Sequence, residues 1–196
     1  MITVVQEQVI GFDARMEPEE GNTYGIRLRE GLLGTLSVDH NIWWSVIEDL
    51  DGVPEWRGPY QNLWSDLGEM TDFRNSRVGD LPPHWLIAFT HVLDPGLTEF
   101  SDANRSPYEP MNPSTIDPSW RFLGHDVADY FLWSGISNCG IGMLDEHAAV
   151  VEEFGPELNE FHLFTDLERA FAFRSHAETF VGEHAPFYVY GMYRVE

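Results

Sequence analysis

The residues with the means to do chemistry gather between His125 and His147, in the run H-D-V-A-D-Y-F-L-W-S-G-I-S-N-C-G-I-G-M-L-D-E-H. It carries the only cysteine, Cys139, between Asn138 and Gly140. A nucleophilic cysteine needs a thiolate, held by a histidine base or by a helix N-terminus. Gly140 and Gly142 would free backbone N–H groups for an oxyanion. His147 and His125 are the first candidates for the base, with His162 and His184 behind them. Two facts oppose this reading. A lone cysteine is most often a small buried hydrophobe, and dense acid nearby raises a thiol pKa.

His125, Asp126 and Asp129 form H-D-x-x-D. On a helix these three side chains share a face, and two carboxylates with an imidazole suit a divalent metal. The competing expectation is that Asp126 caps the helix and Asp129 sits in its first turn, where the dipole favours an acid. That capping reading is preferred. Asp145-Glu146-His147 is a second carboxylate–imidazole group with the same weakness. The chain has no H-E-x-x-H, C-x-x-C or phosphate-loop pattern, and no cofactor is expected.

Charge is the feature that sets this chain apart. Thirty-three acids face eleven bases, all arginine, for a formal net charge of −22. Solubility alone asks for a magnitude of only about 2 to 8 in a small domain. Direct binding of nucleic acid or an anionic membrane is disfavoured, since phosphate needs clustered Lys and Arg. A basic protein is the favoured partner. Between Asp145 and Glu168 lie eight acids and no base, and between Asp39 and Asp72 eight acids against Arg57 alone. The first contact residues to expect are Asp145, Glu146, Glu152, Glu153, Glu157 and Glu160. Trp43-Trp44 supplies an aromatic anchor, because adjacent positions cannot both face inward. The bland alternatives are a merely solvated face, adaptation to high salt, and biased genome composition.

The elements that must position these groups read as follows. Residues 2–10 and 187–195 alternate and are rich in β-formers, so they predict strands. Residues 24–29 and 32–37 predict a hairpin. Asp39 opens a helix bearing Ile42, Trp43, Val46, Ile47 and Leu50, and Pro59 precedes another bearing Tyr60, Leu63, Trp64, Leu67 and Met70. Residues 85–93 are a buried strand or a short core helix. Residues 101–119, with four prolines, predict a long loop.

Val127 to Trp133 predicts a buried helix stopped by Ser134-Gly135, and a second helix runs from Asp145-Glu146 to Gly155-Pro156. Residues 160–164 predict a short strand. Thr165-Asp166-Leu167-Glu168 reads as a capping box opening a helix that carries Leu167, Ala170, Phe171, Phe180 and Val181.

Strands at both ends with paired helices between them predict an α+β fold, a single domain with a mostly antiparallel sheet. The 196 residues, 43% apolar and 14% aromatic, can build a core. No run of 18 apolar residues occurs, and the first ten residues lack a secretory pattern. With a single cysteine, the expected compartment is the cytoplasm. The expected role is an acidic binding or inhibitor protein that occludes a basic partner. It would act as an immunity protein neutralising a toxin does, or as a mimic of DNA charge. The alternative is a small hydrolase using Cys139 with a histidine, or a divalent metal at His125/Asp126/Asp129.

Overall fold

The computed structural model describes residues 7–16, 63–76, 84–94, 115–129, 134–135 and 148–195. Among these residues four strands, β1 (Glu7–Met16), β2 (His84–Val92), β3 (Arg121–Ala128) and β4 (Tyr188–Arg194), form one sheet in the order β1-β2-β4-β3. Every neighbouring pair is antiparallel. Among the described residues three helices accompany it: α1 (Leu67–Ser76), α2 (Ala148–Phe154) and α3 (Leu167–Phe180). The architecture is α+β. Among the described residues no helix is long and apolar enough to cross a membrane.

The last strand in sequence inserts between β2 and β3, which explains its composition. A central strand is covered on both faces, and Tyr188, Val189, Tyr190 and Met192 are all buried. Period-two alternation then sorts the sheet into two faces. One carries Ile87, Phe89, Tyr190 and Met192, joined by Leu123, Phe161 and Leu163. On the other, α3 packs Ala170, Phe173 and Ala177 onto Val92, Val127 and Val189. Toward the opposite end of that face, α1 contributes Met70 to a cluster with Phe12, Ala14, Leu86 and Ala88. Ile116 and Trp120 close this cluster, Trp120 meeting Phe12 edge-on at 5.8 Å.

Several expectations hold. Residues 85–93 are a strand, the closing strand sits where predicted, and α2 ends at Gly155 in a single 3-10 turn, Gly155–Glu157. The first strand is shifted, starting at Glu7 in the described chain. The helix after Pro59 begins only at Leu67. Trp64 before it pairs with Phe12 by N–H···O bonds of 2.8 and 2.7 Å, and Asp66 accepts the Glu69 N–H at 2.7 Å.

Five expectations are corrected. Val127 and Ala128 belong to β3, not to a helix; an unbroken apolar run suits either element, and pairing with β4 decided it. Ser134-Gly135 does not stop a helix but folds back on β3, Ser134 bridging Ala128 and the Gly135 N–H reaching the Val127 carbonyl at 2.8 Å. Residues 160–164 form a turn with single bridges. There the Asn159 carboxamide accepts the N–H groups of Phe161 and Leu163, and His162 adopts φ 56°.

The capping box is displaced by one residue. Asp166 is the N-cap, accepting from the N–H of Glu168 at 2.8 Å and of Arg169 at 3.4 Å, which leaves Thr165 outside. A carboxylate is the better partner for the positive helix end. Phe180, expected inside, is 48% exposed, and Val181 beyond the helix takes the buried place.

The hairpin at 24–37, the Asp39 helix, residues 101–114 of the long loop and Tyr130–Trp133 lie outside the described residues.

Candidate functional site

The strand assignment of 121–128 rearranges the predicted chemistry. His125 and Asp126 are adjacent on a strand, so they point to opposite faces. The metal triad His125/Asp126/Asp129 and the capping roles of the two aspartates are therefore both overturned. Among the described residues no group of three or more His, Cys, Asp or Glu is arranged to hold a metal.

On the face away from α3, β4 brings distant residues into one row. Asp126 stands beside Tyr190, and Tyr190 beside His91. All three are buried: 1%, 0% and 1% exposed. The Asp126 carboxylate accepts the Val127 N–H at 2.8 Å and the Ser134 hydroxyl at 2.9 Å. The imidazole of His91 meets Tyr188 and Tyr190 at 5.6 and 6.1 Å. Its Nδ1 has no hydrogen-bond partner. Burial, helped by the Arg174 guanidinium, pushes the His91 pKa down to about 4, so the ring is neutral at pH 7.

Just past β3, Asp129 reaches His184, Oδ2 to Nδ1 at 2.9 Å. The carboxylate is buried and the ring is partly exposed. A carboxylate against one ring nitrogen fixes the orientation of the imidazole, as it does for histidines that serve as general bases.

Toward the helices, a second constellation lies between the footprints of α1 and α3. Glu7 accepts hydrogen bonds from the hydroxyls of Thr90 and Tyr193, the latter at 3.0 Å to each carboxylate oxygen. Gly191 makes room for it: a Cβ there would overlap both the Glu7 carboxylate and the Thr90 hydroxyl. Burial raises the Glu7 pKa against the lowering effect of those two hydroxyls, and raises that of Tyr193. Phe122, 40% exposed, touches the rings of Tyr193 at 5.1 Å and His125 at 4.8 Å. His125 is 7% exposed, its Nδ1 has no partner, and burial lowers its pKa to about 4.

Of the predicted contact acids, Glu152, Glu153, Glu157 and Glu160 are all exposed. Asp166 and Glu168 join them at the start of α3. Arg169 is the single base from 148 to 173, against six acids. It reaches Glu157 at 2.5 Å and Glu153 at 3.6 Å, and lies 4.6 Å over the Phe154 ring. Asp145, Glu146, His147, Cys139, Trp43 and Trp44 lie outside the described residues.

Sequence reasoning missed His91 altogether, and named His184 only as a base for Cys139. A histidine inside the apolar run 85–93 was the available signal. The residues it would stand beside were not legible, because they come from two other strands. Compared with protein-family models, curated proteins and solved structures, the chain matches none of them.

Proposed function

We propose that this protein is an acidic cytoplasmic binding protein that occludes a basic partner, a toxin or a nucleic-acid-binding protein, much as an immunity protein or a mimic of nucleic-acid charge would. The observation that carries the reading is the exposure of Glu152 and Glu153 on α2, Glu157 and Glu160 in the segment after it, and Asp166 and Glu168 at the start of α3, with Arg169 the only base in this stretch. Carboxylates so placed steer a cationic surface, raising association rates toward the order of 10⁸–10⁹ M⁻¹s⁻¹ at low salt. The test is capture from the native host on immobilised protein, followed by reconstitution with the purified candidate. A basic protein whose affinity falls steeply with salt, and whose association slows in the Glu152→Lys/Glu160→Lys double variant, supports the reading. No partner at low salt, or a complex indifferent to both salt and charge reversal, sinks it.

A second reading, a small hydrolase, draws on the Asp129–His184 pair, whose geometry suits a general base. In that version Cys139 is the nucleophile. Rapid alkylation of Cys139 at neutral pH, slowed by His184→Gln, would support it, whereas an inert thiol in the folded protein would exclude it.

A further inference from the structure

Arg169, Phe173, His176 and Phe180 follow one another along α3 at i, i+4, i+7 and i+11, so they share the side of the helix that meets α2. Phe154, the last residue of α2, touches three of them. The Arg169 guanidinium lies 4.6 Å over its ring, and Phe173 and His176 meet that ring edge-on at 5.4 and 5.1 Å. Phe180 continues the line, stacked on His176 with centroids 5.9 Å apart and planes 7° from parallel. Burial falls along the row: Phe154 is buried, His176 half-buried and Phe180 exposed. Among the described residues Phe122 is the only other large apolar side chain so open to solvent.

The surroundings of this row are acidic. Glu152 and Glu153 are exposed on α2, and Glu153 and Glu157 both reach Arg169 where it lies on Phe154. At the other end Glu183 is exposed in the turn after α3, next to a helix C-terminus whose dipole favours a cation. Arg169 shows within the chain what such a surface accepts, a guanidinium flat on a ring with carboxylates at its edge.

We infer that the exposed Phe180 ring, backed by His176, is where an arginine side chain of the basic partner stacks, with the carboxylates of the α2–α3 seam as the charged rim around it.

This rests on the function proposed above and gives that docking surface its anchor. The rim and the ring belong to one continuous surface, joined by the contacts from Glu153 through Arg169, Phe154 and His176 to Phe180. Guanidinium suits the place better than ammonium because it is planar, less strongly hydrated and able to stack on an aromatic face while pairing with carboxylates. Aromatic and arginine anchors covered on docking, rather than rim charges, set how long a complex lasts.

The test titrates two defined probes, hexa-arginine and hexa-lysine peptides, calorimetrically into the full chain at low salt. Both should bind, and both should weaken in the Glu152→Lys/Glu160→Lys double variant. Phe180→Ala should weaken hexa-arginine about three- to fivefold, the size of a cation–π contact at an exposed site, and leave hexa-lysine nearly unchanged. Phe180→Leu, which keeps an apolar side chain, should do the same, so lost apolar area cannot mimic the result. Hexa-arginine should also shift the ring resonances of His176 in the native protein. If hexa-arginine binds both Phe180 variants as it binds the wild type, if the two peptides lose affinity equally, or if His176 does not respond, the ring is not the anchor, although the acidic surface still docks cations. If charge reversal leaves both peptides bound as before while Phe180→Ala still weakens hexa-arginine, the stacking site stands and the acidic docking reading falls. If neither peptide binds at low salt, both fall.

Discussion

His91 offers the most direct check on the buried polar row. Its pKa of about 4 lies well below the ordinary 6.5 because the charged ring would be stranded without water, with Arg174 adding repulsion. The unfolded chain therefore takes up this proton first as pH falls. Above 6.5 both states are neutral at this position and the histidine adds no pH dependence. Between 6.5 and about 4 the unfolded state alone gains the proton, and native stability drains away. Each pH unit between those values is worth about 1.4 kcal/mol, so the full loss is about 3 kcal/mol. That is a large part of the stability of an ordinary domain.

The perturbation is His91→Phe, which keeps a ring against Tyr188 and Tyr190 and removes the titration. The assay is urea unfolding at a series of pH values from 7 to 4, comparing variant and wild type. Their difference should move by about 3 kcal/mol in favour of the variant as the pH falls, with every other titrating group common to both. Parallel curves would refute the reasoning, because they would mean that His91 carries no protonation penalty in the folded state.

Gly191→Ala should destabilise the fold by about 1–3 kcal/mol through overlap with Glu7 and Thr90, although alanine ordinarily beats glycine in a strand by about 0.5–1 kcal/mol; a stability gain in chemical unfolding would show that the carboxylate does not lie over this strand. Asp166→Ala should cost about 1 kcal/mol by removing the cap of α3, while Thr165→Ala should be nearly neutral, and the reverse order in thermal melts would restore the capping box predicted from sequence. Gly124→Ala should also destabilise, since this residue adopts φ 147° and its Cβ would lie 2.6 Å from that of Leu163; an unchanged melting curve would overturn this backbone geometry. Arg169→Gln should leave folding almost untouched, because exposed pairs hold little, yet it should strengthen hexa-arginine binding by releasing Glu153 and Glu157 from their shared partner; weaker binding would argue that Arg169 organises that surface instead.

What the sequence determined by itself was whatever depends on near neighbours along the chain. The β-rich closing segment, the end of α2 at Gly155-Pro156 and a helix start near Asp166 were all legible in this way. So was the excess of negative charge. Single-residue ambiguities survived at edges, as between Thr165 and Asp166, because two good capping residues stood side by side. The apolar run around Val127 reads as a helix in sequence, yet burial on all sides suits a core strand as well. Only tertiary structure resolved that, by laying the run against β4.

The same insertion of β4 between β2 and β3 built both constellations. It put His91 and Asp126 on either side of Tyr190 on one face, and set Gly191 under the Glu7 carboxylate on the other. Glu7 and Tyr193 are 186 positions apart in sequence. Helical and strand periodicity report which face of an element is apolar, but carry no record of which strands will lie side by side. That choice is made by the burial of whole faces against each other, and the site residues became neighbours only through it.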